Sequence, residues 1–444
     1  ILRFYSTESI KTKRRILLQD RSKLPVHKYS LAKPGTSRVY VWGLAETGAL
    51  GHEVSLKKHK KAYTAYVSYP TRLSFAEKCD ILDVACGYGF SLFVTKKTNE
   101  DNISVYGTGL NTDGQIGFHK HLGATNRPIH LLIYPAPIVL PKLKQNEEIR
   151  IVKVAAGRAH SLFLSDVGCV YATGNNSFGQ CGRSVIADEN YLLSNYFKRI
   201  KNLSNNVDDK IVGIHCGQDH SIFQLESGKL YACGLGADGQ TGLGHYNSTS
   251  TPTELTGDIK NEKIIKVTGT CDTMLALNDK GEVFGFGNTE YGQLLNNNET
   301  SQIHTPIHLP QTSKFGKIID IAAGGSYCLM LNECGEVFIW GYGILGLGPN
   351  VEQYSEPKQI PATLFGRNDF HPNTFVKSIY CGISHAGAIN NLGDAYMWGR
   401  NKFGCLGFGD TKNQYFPLKT AVNASVMKLC CGVDHTLALC KPFI

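Results

Sequence analysis

Four histidines, His160, His220, His385 and His435, are the residues whose type and recurrence first suggest chemistry. Each stands three positions after a glycine: Gly157, Gly217, Gly382 and Gly432. Imidazole titrates near neutral pH and can act as general base or metal ligand. In other copies of the same pattern the slot holds Phe90, Thr273 and Tyr327. A position shared with Phe and Tyr reads as packing with a structural hydrogen bond, not as proton transfer. A common metal ion would need several imidazoles within about 2 Å of one point, and histidines of separate repeats lie too far apart for that. Asp219 and Asp434 directly precede two of these histidines. An aspartate in that position can fix its own loop through local hydrogen bonds. There are 14 cysteines and no Cys-x-x-Cys pair, so no zinc site is expected. Cys86, Cys216, Cys381 and Cys431 fall in apolar stretches and read as small hydrophobes in a reducing compartment. The glycine-rich turns lack a Gly-Lys-Ser/Thr ending, which excludes phosphate loops. No catalytic group, metal or cofactor is expected.

The elements that carry these residues are internal repeats. The copies ILDVACGYGFSLFV, IVKVAAGRAHSLFL, IVGIHCGQDHSIFQL, IIDIAAGGSYCLML, VKSIYCGISHAGAI and VMKLCCGVDHTLAL, with the degenerate IIKVTGTCDTMLAL, place Gly87, Gly157, Gly217, Thr270, Gly324, Gly382 and Gly432 in one slot. Their spacings are 70, 60, 53, 54, 58 and 50 residues, the length of one propeller blade of four short strands. Each copy continues into a strand ending in glycine (GCVYATG, GKLYACG, GEVFIWG, GDAYMWG) and then a turn with glycines at offsets of five and three, as at Gly174, Gly179 and Gly182. A proline is expected to open the outer strand: Pro70, Pro137, Pro252, Pro306, Pro357 and Pro417. The last first-half copy, 426–439, has no second half after it. The missing piece is Val39–Gly43, followed by Gly48 and Gly51. An all-β, seven-bladed β-propeller over 39–444 follows, closed by pairing of its N-terminal and C-terminal strands, which leaves no open edge.

Charge is unevenly placed. Residues 1–35 hold nine basic and two acidic residues, which is seven of the nine net positive charges, so the remainder is close to neutral. A role in coating nucleic acid in bulk is thereby disfavoured. Residues 1–38 are expected to be a mitochondrial presequence or a disordered basic leader. No apolar run approaches the ~18 residues of a membrane span. The connections 52–80, 118–150 and 183–210 are longer than the later ones, and long loops on a rigid scaffold often carry function. They contain Lys57, Lys58, Lys60 and Lys61, then His119, Lys120, His121 and Arg127, then Tyr191, Tyr196, Phe197, Lys198 and Arg199. Basic residues among aromatics suit RNA or an acidic partner; the same residues also suit a plain solvated loop.

The Gly-x-x-His and Trp-Gly-x-x-x-x-Gly-x-x-Gly patterns, with the segments GNNSFGQCGR, GADGQTGLGHYN, WGYGILGLGPN and CGVDHTLALCKPFI, resemble the regulator-of-chromosome-condensation repeat family, and most of all its mitochondrial branch, from residue 39 to 444. The resemblance implies a mitochondrial protein, in the matrix or on the matrix face of the inner membrane, with peripheral membrane association and no integral segment. It implies guanine-nucleotide exchange on a mitochondrial GTPase, including the dynamin-like fusion GTPase. It also implies support of mitochondrial large-subunit rRNA maturation and ribosome assembly beside a pseudouridine-synthase module. The alternative is an RNA and protein assembly platform without exchange activity. By the same resemblance Asp219 would face the GTPase. Propellers host unrelated functions, so fold does not choose between these.

Overall fold

The computed structural model describes residues 37–52, 65–96, 104–121, 127–141, 150–194, 197–201, 203, 204, 206, 208–296 and 300–442. The basic residues Lys57, Lys58, Lys60 and Lys61, and residues 1–36 of the leader expected over 1–38, lie outside them. The described chain forms seven four-stranded antiparallel sheets. Six are continuous in sequence. Blade 2, for example, consists of Ile151–Ala156, His160–Ser165, Val170–Gly174 and Lys198–Ile200.

The burial of each strand follows its place between channel and rim. First strands touch those of neighbouring blades around the central channel. Second strands are buried throughout, as in His160–Ser165 and Thr273–Asn278, and read as continuous apolar runs because a blade covers each face. Fourth strands are half exposed, as in Gln353–Ile360. The core lies between blades. Leu329 and Ile339 of blade 5 pack on Ile379, Ala388 and Trp398 of blade 6, and Val39, Val41 and Leu437 of blade 7 pack on Val84 and Phe93 of blade 1.

Blade 7 joins the two ends of the chain. Its inner strands are Ser425–Cys431 and His435–Lys441, and its outer two are Arg38–Leu44 and Tyr66–Arg72. Val39 stands opposite Leu439 and Trp42 opposite Thr436. Trp42 is fully buried, and its indole N–H donates to the Cys405 carbonyl of blade 6 at 2.7 Å. Trp340 does the same to the Gln293 carbonyl at 2.7 Å.

The expected position of the prolines needs correction. They do not open the outer strands; they sit inside them at a shift of register. Ala232 pairs with Thr253 and Gly234 with Thr249, so Pro252 falls in the unpaired stretch. The same shift brackets Pro306, Pro357 and Pro417. In blade 1 the equivalent residue is Pro135, not Pro137, because Gly107 pairs with Ala136 and Gly109 with Leu132. A bulge leaves an amide without a ladder partner, so a residue lacking that amide is accommodated there.

Candidate partner-binding face

The strand order sends two kinds of loop to one face of the ring: the Gly-x-x-His loops between first and second strands, and the glycine turns after the third strands. The histidines themselves point inward. The His160 Nε2 lies 3.0 Å from Ser221 Oγ, His385 Nε2 3.1 Å from Thr436 Oγ1, and His435 Nε2 3.0 Å from Ser91 Oγ. In each case the hydroxyl belongs to the next blade and already donates to a turn carbonyl, as Ser221 does to Gln180 at 2.7 Å. It therefore accepts from the imidazole, which is neutral with its proton on Nε2. His220 meets Met274 Sδ at 3.2 Å instead. Burial holds His160, His220 and His435 down to about 3 and His385 to about 4. Tyr327, in the same slot, reaches the next blade through its own hydroxyl, which donates to the His385 carbonyl at 2.6 Å. The glycine of the motif makes room for the ring: a Cβ on Gly217 would stand 2.0 Å from His220 Cε1.

The residues just before the histidine slot reach the face. Asp219 lies there, yet its side chain is only 5% exposed. It is held by Arg158 of the neighbouring loop, whose Nη2 stands 2.5 Å from one carboxylate oxygen and whose Nε donates to the other at 3.2 Å. Arg158, half exposed, is what the pair presents to solvent. Gly234 permits this arrangement: at φ +114° its backbone passes so close to the Asp219 carbonyl that a Cβ would lie 2.5 Å from it.

Asp272 occupies the slot of Asp219 in the next blade. Its carboxyl is pushed up to about 6 by burial and by repulsion from Asp238, and Gln240 Nε2 donates to it at 3.1 Å. Asp272, Asp238 and Arg158 were not singled out from sequence. Asp272 could have been found by aligning the degenerate copy IIKVTGTCDTMLAL, in which it stands where Asp219 stands. Arg158 occupies the position before that slot, which carries a different residue in every copy, so repetition alone gives no signal. At the centre of the ring Gln218 Nε2 donates to Cys271 Sγ at 3.1 Å, and the Tyr88 hydroxyl lies 3.8 Å from the same sulfur.

The short loops and turn tips of this face carry Glu46, Asp113, Asp219, Asp238, Asp272, Glu290 and Asp434 against Arg158, Arg400 and Lys402, and the longer parts of the same connections add Lys120, Arg127 and Lys412. Among the described residues carboxylates predominate at the tips, which favours a basic protein surface there over a phosphate backbone.

Lys120 and Arg127 follow the Gly114 and Gly117 turn in the same third-to-fourth connection of blade 1, between Leu110 and Leu131. Lys120 and Arg127 are exposed beside each other in blade 1's outer connection, where Lys120 bridges to Pro128. Lys198 and Arg199 lie in the three-residue outer strand of blade 2, opposite Ala172 and Tyr171. Arg199 folds back on the blade, its Nη2 3.4 Å from Cys169 Sγ, and Phe197 packs against Phe163. Among the described residues, those predicted from the long loops are divided between blade 1's third-to-fourth connection and the outer strand of blade 2. Among the described residues no helix is long and apolar enough to cross a membrane.

Comparison with known proteins gives a consistent picture. The RCC1-like domain family matches residues 26–361, and the regulator of chromosome condensation (RCC1) repeat matches residues 334–389 and 393–439. The RCC1-like G exchanging factor-like protein of Mus musculus is 41% identical, over 97% of this chain and 93% of its own length. The Homo sapiens protein of the same name is 42% identical, over 92% of this chain and 87% of its own. The crystal structure of human WBSCR16 superposes with a TM-score of 0.83 at 42% identity, covering 92% of this chain and 100% of that one. Prp20p of Saccharomyces cerevisiae, whose structure was described with its binding to Gsp1p and histones, shares the fold at 18% identity, with a TM-score of 0.72.

Proposed function

The chain belongs to the regulator of chromosome condensation (RCC1) repeat family, and on that premise we propose that it is a mitochondrial guanine-nucleotide exchange factor whose acidic face binds a GTPase. The observation that carries the proposal is the composition of that face: its turn tips are rich in carboxylates, and it presents Arg158 held by buried Asp219. Exchange needs no bond making. A surface that binds the nucleotide-free GTPase more tightly than the loaded form lowers nucleotide affinity by the same factor. The names of the two relatives that are about two-fifths identical support this reading.

The test is release of a fluorescent guanine nucleotide from purified mitochondrial GTPases, the dynamin-like fusion GTPase among them. The protein is expected to accelerate release. Arg158→Ala is expected to reduce that acceleration at least tenfold, and Asp219→Ala to reduce it less, by unseating Arg158. Absence of acceleration on every GTPase tried overturns the reading.

A second reading, a platform for mitochondrial large-subunit rRNA and its pseudouridine-synthase module, is favoured by the exposed pair Lys120 and Arg127 in blade 1's third-to-fourth connection. Crosslinking in organelles should then enrich that rRNA, and charge reversal at both residues should lower the recovery.

A further inference from the structure

Three aspartates occupy the slot before the repeat histidine, and two are satisfied within the protein. Asp219 has Arg158, and Asp272 has Gln240. The third, Asp434, has neither a hydrogen bond nor an ion pair on its carboxylate among the described residues. Burial raises its carboxyl, and only the field of Lys402 offsets this. Lys402 itself lies over the Phe403 ring, 4.9 Å from the centroid. A half-buried carboxylate without a partner is costly to keep.

Asp434 also borders a pocket. At the closure between blades 7 and 1, Leu44, Thr47, Tyr88, Leu110, Val433 and Asp434 line a cavity of about 200 Å³. The cavity is built by the closure. Leu44 is set by its amide donating to the Asp434 carbonyl at 2.8 Å, and Leu110 by its amide donating to the Gly89 carbonyl at 2.9 Å. Clefts for drug-sized molecules are roughly 300–1,000 Å³, so this one suits a single side chain. Its walls are aliphatic and aromatic, and its one charge is negative.

We propose that this pocket receives a lysine side chain from the protein partner docked on the acidic face, with the four-carbon stem between Leu44, Leu110 and Val433 and the ammonium on the Asp434 carboxylate. The inference rests on reading this face as a partner surface and adds the chemistry of one anchor. Lysine fits because its stem is apolar and its head is a compact point charge, whereas the broad arginine fork asks for paired acceptors.

The experiment uses the full chain with methyl-labelled leucine and valine and needs no GTPase. The probe is n-butylammonium, the lysine side chain itself, compared with n-butylguanidinium and the neutral n-pentanol. Saturable shifts of the Leu44, Leu110 and Val433 methyls are expected with n-butylammonium, at millimolar affinity. Binding of n-pentanol should be at least tenfold weaker, and Asp434→Asn should weaken n-butylammonium at least tenfold while leaving remote methyls in place. Equal binding of n-pentanol, tighter binding of n-butylguanidinium, an unaffected Asp434→Asn, or no saturable shift each overturns the assignment. Because the probe contains no GTPase, the result stands apart from the exchange assay: a failed exchange test alongside amine binding would remove the GTPase and leave the pocket.

Discussion

At the scale of single residues, the repeat histidines illustrate how a reactive side chain becomes a structural one. Burial removes the charged form, and for His160, His385 and His435 a hydroxyl on the next blade accepts the one remaining N–H. The consequence is a pH dependence whose sign is fixed. In the unfolded chain these imidazoles titrate near 6.5, while in the ring they are held to about 3 or 4. A depressed folded value means that the stabilisation is complete above pH 6.5 and is lost as pH falls. Each histidine contributes a slope of at most about 1.4 kcal/mol per pH unit below that point. Buried His215, held to about 4 and bonded to the Gly269 carbonyl at 2.8 Å, adds to it. Denaturation followed from pH 7.5 to 4.5 should show stability falling steeply below pH 6.5. His160→Phe, which copies Phe90 of blade 1, should remove one proton's worth of that slope. At pH 7.5 it should also cost about 1–2 kcal/mol for the lost bond to Ser221. A wild-type slope unchanged in the variant would mean that His160 is not the neutral group described.

At the scale of elements, the ring is held shut by a strand from the beginning of the chain. Trp42 is the key side chain, fully buried and bonded to blade 6 while its strand pairs with Thr436 and its neighbours. Trp42→Ala should cost about 3–5 kcal/mol from the cavity alone. Deletion of residues 38–44 should do more, because the His435–Lys441 strand then offers an unpaired edge. Size-exclusion chromatography with light scattering should show the deleted protein associating, and a monomer that melts like the parent would contradict the closure. This element was legible in the sequence, since a half-repeat at one end and its complement at the other admit few other pairings. The repeat spacing and the strand types were legible for the same reason, because burial on both faces writes long apolar runs. The proline bulges were harder to read. Pro135 and Pro137 are close neighbours in sequence, and only the shifted pairing of Gly107 and Gly109 shows which one occupies the bulge. The Asp219–Arg158 pair was illegible because its members come from different blades, and a contact across 61 residues leaves no local pattern. The loop residues Lys198 and Arg199 looked like part of a basic patch, but the sequence does not reveal that Arg199 turns back onto Cys169.

At the scale of the whole molecule, the net charge is a poor guide and its distribution a better one. Apart from the first 35 residues the chain is nearly neutral, yet the short loops and turn tips of one face gather carboxylates. Such an asymmetric field orients a basic partner during diffusional approach and acts mainly on the association rate. Two dependences follow for a GTPase that docks on this face. The association rate should fall about tenfold or more between 50 and 300 mM salt, since the Debye length shrinks below the spacing of these loops, while the dissociation rate changes little. The same rate should fall as pH is lowered from 7.5 to 5.5, because Asp272, raised to about 6, takes up a proton in that range and the face loses negative charge. Stopped-flow or surface-resonance kinetics would read both. Asp272→Asn should remove most of the pH response while leaving the salt response. An association rate insensitive to salt would mean that the partner does not approach by this face, and a pH response intact in Asp272→Asn would assign the titration to another group.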